Sequence, residues 1–551
     1  MTPGDTLGGH VADRHRIGDV LGEGSVTQAA WRRVLAITNG GLLLGATLLA
    51  LWLRVAGLPG QDGTLSIDEA RLALAARGIL EHGIPIMPTG WIYTRGLLPT
   101  YLVAASFATL GQTDFAARVP SVLAGIALVP LMYGLGRMVA GRAGGLFAAL
   151  FAATYPPLVD WSRQAWFYSL YVLLFAAAML FILRAHRSHN SRDQLLAGLC
   201  AGLALFAHEF GIFLLPPLAA QVALRLRRRG EPGGWRTPAA ALGLFAAAGA
   251  LLALLALRLR ADTMGGRFAE LDEFALSPQL DWGSLRFYGE MLLDSHGLIL
   301  AVALIGVPLA IVRRQYEALL LWLALLPPFL HVVTLEAYDR YGLTLMVILV
   351  LLAAQGAALL ARWGFGRARV LGASAGGATF AILAVVLAYH LDVPSPGEVG
   401  ARDPNAGAWL REARRLGIGR DDLVMTDLPT VVGWYLGDVD FWPRSRMFEK
   451  YTFRAGAPPR EVHTGAVLVR DLDDYRRLVV GPNAGRTLWV LASGRQAQWR
   501  SWLDADLRRA VEESAAFSIA PGGSSYLQFS GRSLILRIDL PPGAQNRAWA
   551  R

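Results

Sequence analysis

The chain has 551 residues, of which 54% are hydrophobic and only 17% are charged. A soluble protein carries about 25% charged residues, so the composition excludes an ordinary soluble domain and indicates a membrane protein. The formal net charge of +10 does not predict a nucleic-acid partner, because the arginines cluster at the ends of apolar runs, as the positive-inside rule requires.

The N-terminal residues 1–33 are polar, rich in glycine and without the features of a signal peptide. We interpret them as a disordered cytoplasmic tail. Arg32 and Arg33 precede the first predicted span, at 34–53. Their charge places the N-terminus on the cytoplasmic side of the membrane.

A long first outer loop is predicted over 54–117. It contains an amphipathic helix at 69–82 and an apolar helix at 98–110. A transmembrane helix needs about 17 residues or more, and the second helix is shorter than that. We therefore predict that 98–110 is an interfacial or re-entrant helix.

The remaining apolar runs predict ten more spans. They lie at 119–138, 143–158, 168–184, 194–208, 210–225, 239–257, 297–312, 317–333, 341–361 and 370–389. If 98–110 does not cross the membrane, every arginine cluster between spans lies on the cytoplasmic side. The sequence thus predicts a polytopic α-helical domain over 34–390 with about eleven transmembrane helices.

The last part of the chain, 391–551, contains frequent charges, prolines and glycines and has no run that could span a bilayer. An amphipathic helix is predicted at 405–416. Short apolar stretches at 422–426, 466–469, 487–491 and 533–538 resemble strands. After an odd number of spans, we expect a small extracytoplasmic α/β domain.

Polar side chains collect in four of the predicted outer connections. They are Asp68 and Glu69 in the first loop, Asp160, Arg163 and Tyr168 in the second, His208 and Glu209 in the third, and Tyr338, Arg340 and Tyr341 in the fourth. Ionisable groups at the membrane are costly unless they are paired or face a wet cavity. Their coincidence predicts a polar cavity at the outer face.

Simpler explanations remain open for each group. Acids at the start of a helix interact favourably with its dipole, which accounts for Asp68 or Glu69. Arg163 can extend to lipid headgroups, and His208 with Glu209 can be ordinary interfacial polarity. Arg340 can form a local ion pair with Asp339.

Residues 66–168 contain a series of motifs, which are DEARLALAARGILEHGIP, YTRG, LPTYL, GQTDFAARVPSVLAG, LMYGLGR and SRQAWFYSLY. A later segment reads YDRYGLTLMVILVLLAAQG. Together they resemble bacterial and archaeal relatives of the protein O-mannosyltransferases and of the lipid A aminoarabinose transferases, which are family 39-like membrane glycosyltransferases of the GT-C fold. One departure is Trp166, which stands where the related motif often has a second arginine.

The resemblance implies transfer of a sugar from a polyprenyl-phosphate donor to a hydroxyl of a protein, lipid or glycan, on the extracytoplasmic face of the plasma membrane. Asp68 matches the family's catalytic acid and would act as general base in an inverting reaction, supported by Glu69. Arg340 and Tyr341 would hold the donor phosphate. Further candidates for the donor site are Arg163, Tyr168, Arg95, Tyr93, Asp160, His208, Glu209 and Tyr338.

No ligand spacing in the sequence selects a metal ion, and we predict none, although some relatives of this kind need a divalent cation. A membrane transporter or lipid flippase is the main alternative function, and a non-catalytic envelope assembly protein is another. Transporters often show two similar halves, and no such internal repeat is evident here.

Overall fold

The structure is a computed structural model. It describes residues 39–58, 65–226, 235–264, 281–312, 316–333, 338–365, 375–390, 406–418, 422–445, 452–453, 458–492, 503–514, 517–519 and 534–542. The predicted tail at 1–33 lies outside these residues.

The described residues in the first two thirds of the chain are mainly helical. The helices are α1 (Asn39–Val55), α2 (Ile67–His82), α3 (Leu97–Leu110), α4 (Asp114–Thr154), α5 (Pro156–Ser162), α6 (Tyr168–Ser188), α7 (Ser191–Ala207), α8 (Leu215–Leu226), α9 (Arg236–Met264), α10 (Trp282–Glu290), α11 (Gly297–Val312), α12 (Tyr316–Val332), α13 (Leu343–Phe365) and α14 (Ala375–His390). Short 3₁₀ segments at Glu209–Leu214 and Asp339–Gly342 precede α8 and α13.

Among the described residues, five helical segments are long and apolar enough to cross a membrane. A sixth candidate is the pair Trp282–Asp294 and Gly297–Pro308, which is bent by 92°. The segments Asn39–Val55, Leu97–Leu110 and Leu320–Val332 are apolar but shorter. The chain is therefore a helical membrane protein, while the number of eleven spans and the placement of α3 stay predictions.

A backbone break divides α4. Gly141 has φ 72° and ψ −159°, a conformation that only glycine adopts without strain. The break falls between the predicted spans 119–138 and 143–158. The long helix is thus two consecutive helical segments that meet at an angle.

Helix α13 lies at the centre of the bundle. It is apolar around its whole circumference and is buried along nearly its entire length, as expected for a helix surrounded by others. Helices α4, α11, α12 and α14 pack against it. Because the 3₁₀ turn Asp339–Gly342 leads into α13, Arg340 and Tyr341 lie at one end of the bundle core.

The C-terminal region contains a mixed β-sheet. Its strands are β1 (Leu423–Thr426), β2 (Phe441–Pro443), β3 (Thr452–Phe453), β4 (Arg460–Glu461), β5 (Val467–Val469), β6 (Thr487–Ala492), β7 (Phe517–Ile519) and β8 (Leu534–Asp539). Their spatial order is β3-β4-β5-β2-β1-β6-β8-β7. The β1–β2, β1–β6 and β2–β5 pairs are parallel and the others are antiparallel.

In the described part of this region, the α-helices beside the sheet are α15 (Ala406–Arg415), α16 (Pro429–Leu436), α17 (Leu472–Asp474) and α18 (Ala505–Glu513). Helix α16 packs on α2 of the bundle. The β4–β5 hairpin also reaches the first loop, where the Thr89 hydroxyl donates to the carbonyl of Val462 at 2.6 Å. The C-terminal region therefore rests on the end of the bundle that carries Asp68.

Candidate active site

The start of α2 is fixed by a capping box. Ser66 is the N-cap residue, and its hydroxyl accepts a hydrogen bond from the Glu69 N–H at 3.4 Å. The Glu69 carboxylate accepts one from the Ser66 N–H at 2.9 Å. This reciprocal pattern satisfies two N–H groups that a helix start leaves unpaired. It also fixes the helical turn on which Asp68 lies.

Glu69 does more than cap the helix. Its carboxylate is 4% exposed and pairs with Arg118 of α4, with Nε at 2.8 Å from Oε1 and Nη2 at 3.2 Å from Oε2. The Ala165 N–H donates to Oε1 at 2.7 Å. Burial acts to raise the pKa of Glu69, but the Arg118 charge and the hydrogen bonds outweigh it and lower the pKa below its ordinary value. Glu69 therefore joins α2, α4 and the connection after α5 as a buried anion.

Glu69→Gln is expected to lower the free energy of unfolding by about 3–5 kcal/mol, because it leaves the buried Arg118 charge without its counter-ion. Since folding lowers the pKa of Glu69, its contribution to stability is present above the ordinary pKa of 4.5 and is lost as the pH falls through the lowered value. Thermal unfolding of the purified protein from neutral pH to about pH 3 measures both effects.

The matched control is Glu81→Gln at the other end of the same helix, where the side chain is 56% exposed. This change should leave the melting temperature nearly unaltered. Equal melting temperatures for wild type and Glu69→Gln would contradict the assigned ion pair.

Asp68 lies between two guanidinium groups. Arg71, one helical turn later, donates from Nη1 to Oδ1 at 3.2 Å. Arg340, in the turn before α13, approaches Oδ2 with its Nη1 at 3.8 Å. The Asp68 side chain is 35% exposed, so its carboxylate remains accessible to a ligand while the two cations fix its orientation.

Aromatic rings surround the Arg340 guanidinium. Its central carbon lies 4.2 Å from the Tyr338 ring centroid, 5.5 Å from that of Tyr341 and 5.9 Å from that of Trp161. It donates a hydrogen bond to Tyr341 and interacts electrostatically with Tyr168. These contacts hold the cation within reach of Asp68, as cation–π geometry favours.

A second cation–anion pair lies beside Tyr168. Arg95 donates from Nη2 to Glu209 Oε1 at 2.9 Å, and both side chains are about one-third exposed. Gly96 follows Arg95 at φ 58°, and a Cβ there would come within 2.9 Å of the Phe167 ring. A glycine is required at this position, because it lets the YTRG segment pack against the SRQAWFY segment.

His208 is buried among the rings of Phe167, Tyr168, Tyr171 and Phe210, with centroids 4.1 to 5.5 Å away. Its Nδ1 accepts a hydrogen bond from the Phe210 N–H at 3.0 Å, so the neutral ring carries its proton on Nε2. That Nε2 makes no hydrogen bond with the described residues. The His208 ring therefore offers one buried donor near Tyr168.

Arg163 is 3% exposed and does not extend to the membrane surface. Its Nη1 donates to the carbonyls of Leu53 and Ala56, both at 2.8 Å, at the end of α1. In the described part of the chain its Nε and Nη2 have no hydrogen-bond partner. Arg54, near the end of α1, donates in a similar way to the carbonyls of Ala152 and Ala153 at the end of α4.

Three further residues were predicted for the candidate site. Tyr93 is buried and contacts Trp91 edge to face at 5.8 Å. Asp160 is half-buried, and its carbonyl accepts from the Arg163 N–H. Tyr338 accepts a backbone hydrogen bond from the Tyr288 hydroxyl at 2.5 Å. Within the described ranges, no group of three or more His, Cys, Asp or Glu side chains is placed to hold a metal ion.

The sequence did not predict three residues of the candidate site. Arg71 follows Asp68 by three positions, a spacing that places both side chains on one helix face and could have identified it. Arg118 and Trp161 lie on other elements. No local pattern connects them with Glu69 or Arg340, so only the packing of the bundle reveals them.

Four connections thus meet at one end of the bundle and bring together an accessible carboxylate, two partly exposed arginines, two tyrosines and a buried histidine donor. Such a site suits a ligand that has both an anionic group and hydroxyl groups. The carboxylate can accept a proton, and the guanidinium groups match the geometry of a phosphate.

The sequence matches a family model on part of its length. The model described as dolichyl-phosphate-mannose-protein mannosyltransferase matches residues 94–256, which include Arg95, Arg163, Tyr168 and the His208–Glu209 pair. Among curated proteins, none matches the sequence significantly.

Solved structures share the fold at low sequence identity. ArnT from Cupriavidus metallidurans matches in its apo state with a TM-score of 0.59 and 13% identity, over 93% of this chain and 100% of ArnT. ArnT bound to undecaprenyl phosphate gives a TM-score of 0.57 at 13% identity over 93% of this chain and 99% of that one. The oligosaccharyltransferase AglB from Archaeoglobus fulgidus, in complex with an inhibitory peptide and a dolichol-phosphate, gives a TM-score of 0.51 at 12% identity. The match covers 91% of this chain and 76% of AglB. The resemblance first seen in residues 66–168 is thereby confirmed, and the chain has the GT-C fold of these membrane glycosyltransferases.

Proposed function

We propose that the protein transfers a sugar from a polyprenyl-phosphate donor to a hydroxyl acceptor, with Asp68 as general base and Arg340 at the donor phosphate. The observation that carries this proposal is the approach of Arg340 to Asp68, at 3.8 Å between Nη1 and Oδ2. It puts a proton acceptor beside a phosphate-binding cation, and the reaction needs both. Undecaprenyl phosphate bound to ArnT, which has the same fold, supports the choice of donor.

The reaction is a single displacement. The acceptor oxygen forms a bond to the anomeric carbon as the bond from that carbon to the phosphate oxygen breaks, and the phosphate keeps the electron pair. The hydroxyl proton passes to the Asp68 carboxylate, which later releases it to water. Attack from the face opposite the phosphate inverts the anomeric carbon. No acid is needed for the leaving group, so one essential carboxylate is sufficient.

Each remaining group has a part in this scheme. Arg340 and Arg95 stabilise the charge that develops on the departing phosphate, and Tyr341 and Tyr168 line the same pocket. The buried Nε2–H of His208 is a donor for a sugar hydroxyl. Arg163 is buried, and its Nε and Nη2 have no partner in the described residues. It supports the wall of the pocket, and Glu69 fixes the start of α2.

The direct test uses purified protein in liposomes with labelled sugars on polyprenyl phosphate, offered beside the corresponding nucleotide sugars. We expect transfer to a membrane or protein extract from a lipid-linked donor only. Transfer from nucleotide sugars would contradict the proposal. Movement of the lipid between leaflets without a new glycosidic bond would favour a flippase instead.

We also propose that the site faces away from the cytoplasm. Helix α6 begins with Tyr168 at the site and, about 30 Å further along, carries Arg184 and Arg187 at its other end. Arg187 there donates to the Met138 carbonyl, and Arg225 donates to the Ala185 carbonyl. Arginines gathered at the end opposite the site support a cytoplasmic location for that end.

Protease added outside sealed cells, or outside spheroplasts where an outer membrane is present, is therefore expected to remove the 391–551 region and leave the bundle. Detection of a tag at each terminus measures this, because the N-terminal tag should survive until the membrane is permeabilised. Protection of the C-terminal tag would overturn the proposed orientation of Asp68 and Arg340 as well.

A further inference from the structure

A polar contact joins the C-terminal region to the bundle at Asp114. The Tyr435 hydroxyl donates to Oδ2 of Asp114 at 2.5 Å, and it accepts a hydrogen bond from the Leu65 N–H at 2.8 Å. Trp434 donates from Nε1 to Oδ1 of Asp114 at 3.2 Å. One carboxylate at the start of α4 is therefore bound by two consecutive side chains of α16.

Packing around Trp434 fixes α16 in this position. The indole ring stacks on Phe107 of α3 with centroids 5.4 Å apart, and the Arg77 guanidinium of α2 lies 4.3 Å from its centroid. Arg77 also donates to the Trp434 carbonyl at 3.1 Å. The ring is 6% exposed, so it serves this interface rather than the binding of a sugar.

Two routes lead from Tyr435 to the turn that carries Asp68. Leu65 precedes the N-cap residue Ser66, so the bond from its N–H to Tyr435 fixes the chain where α2 begins. Asp114 also interacts electrostatically with Arg118, which in turn pairs with Glu69. Tyr435 is thus connected to the start of α2 through Leu65 and through Asp114.

The phenol of Tyr435 is suited to this position. Burial raises its pKa, and the adjacent Asp114 carboxylate raises it further. The hydroxyl therefore stays protonated, and it donates to Asp114 while it accepts from Leu65. Phenylalanine would keep the ring and lose both hydrogen bonds.

We infer that Tyr435 is a positioning residue for Asp68, and that the seating of the C-terminal region on the bundle sets the geometry of the candidate base. The kinetic part of this inference rests on the proposed transfer reaction. Tyr435 acts through Leu65 and Asp114. Its loss therefore displaces the base without altering the cations assigned to the donor phosphate.

Tyr435→Phe should lower kcat by about 10- to 100-fold, because a misplacement of about 1 Å has effects of this size. The KM for the lipid donor should stay the same, since Arg340 and Arg95 are unchanged. The matched control is Tyr475→Phe, which removes the hydroxyl of another buried tyrosine in the sheet core of the same region and should leave both constants unaltered.

Amide hydrogen exchange at Leu65 tests the inference without a measurement of enzymatic activity. In Tyr435→Phe the Leu65 amide should exchange faster than in wild type or in Tyr475→Phe, because its hydrogen-bond acceptor is gone. If wild type transfers no sugar, the proposed function fails, and exchange at Leu65 alone then decides whether Tyr435 holds the start of α2.

Asp114→Asn provides a second variant, which keeps an oxygen that accepts from Tyr435 and should lower kcat less. Combined with Tyr435→Phe, it should add little, because residues that act as one unit are not additive. Unchanged kcat, or unchanged exchange at Leu65, in Tyr435→Phe would overturn the inference.

Discussion

Asp68→Asn is expected to reduce sugar transfer by at least about 10²–10⁴-fold, because the amide cannot accept the proton of the acceptor hydroxyl. The substitution keeps the size of the side chain and leaves the Ser66–Glu69 capping box in place. The folded protein should therefore accumulate normally in the membrane. The measurement is kcat with a polyprenyl-phosphate sugar, at equal amounts of folded protein.

The matched control for this variant is Asp281→Asn. Asp281 is exposed and is the N-cap residue of α10, and asparagine is an equally good N-cap. That variant should keep wild-type kcat. If Asp68→Asn also transfers at the wild-type rate, the enzyme class stands, and the base must be sought among the other carboxylates of the site, Glu209 and Asp160.

Arg340→Gln is expected to lower kcat/KM by about 10²–10³-fold, the usual loss when one electrostatic contact to a developing charge is removed. Arg340→Lys should recover only part of the activity. It keeps the charge but loses the planar group that stacks on Tyr338 and matches a phosphate. Kinetics at varied donor concentration separate the effect on binding from that on the chemical step.

Inhibition by polyprenyl phosphate tests directly whether Arg340 binds the donor phosphate. Polyprenyl phosphate without a sugar should inhibit wild type by competition with the donor, and its inhibition constant should rise in Arg340→Gln. Arg286→Gln is the matched control, because Arg286 is 81% exposed and paired with Glu290 on the surface of α10. An inhibition constant that is equal in wild type and Arg340→Gln would move the phosphate away from Arg340.

The sequence predicted which segments meet at the site better than it predicted their contacts. Asp68, Arg340 and Tyr168 were each identified from their place in a predicted outer connection and from the family resemblance. Their mutual distances depend on how the helices pack, which leaves no local pattern.

Several side chains make contacts that the sequence did not predict. Glu69 caps α2, as the position of an acid in the first turn allows, and it also pairs with Arg118 from another helix. Arg163 contacts helix carbonyls rather than the membrane surface. The Tyr435–Asp114 contact joins residues 321 positions apart, and nothing in either neighbourhood identifies the partner.

The contacts of Arg54 have a consequence for biogenesis. Arg54 is fully buried, and the carbonyls of Ala152 and Ala153 that it binds lie 98 and 99 residues later in the chain. Until that stretch is made, the only one of its carbonyl partners among the described residues that already exists is Ala50 of the same helix, at 3.3 Å. The contacts that bury the Arg54 guanidinium are therefore complete only after Ala152 and Ala153 have been made and α4 has packed against the end of α1.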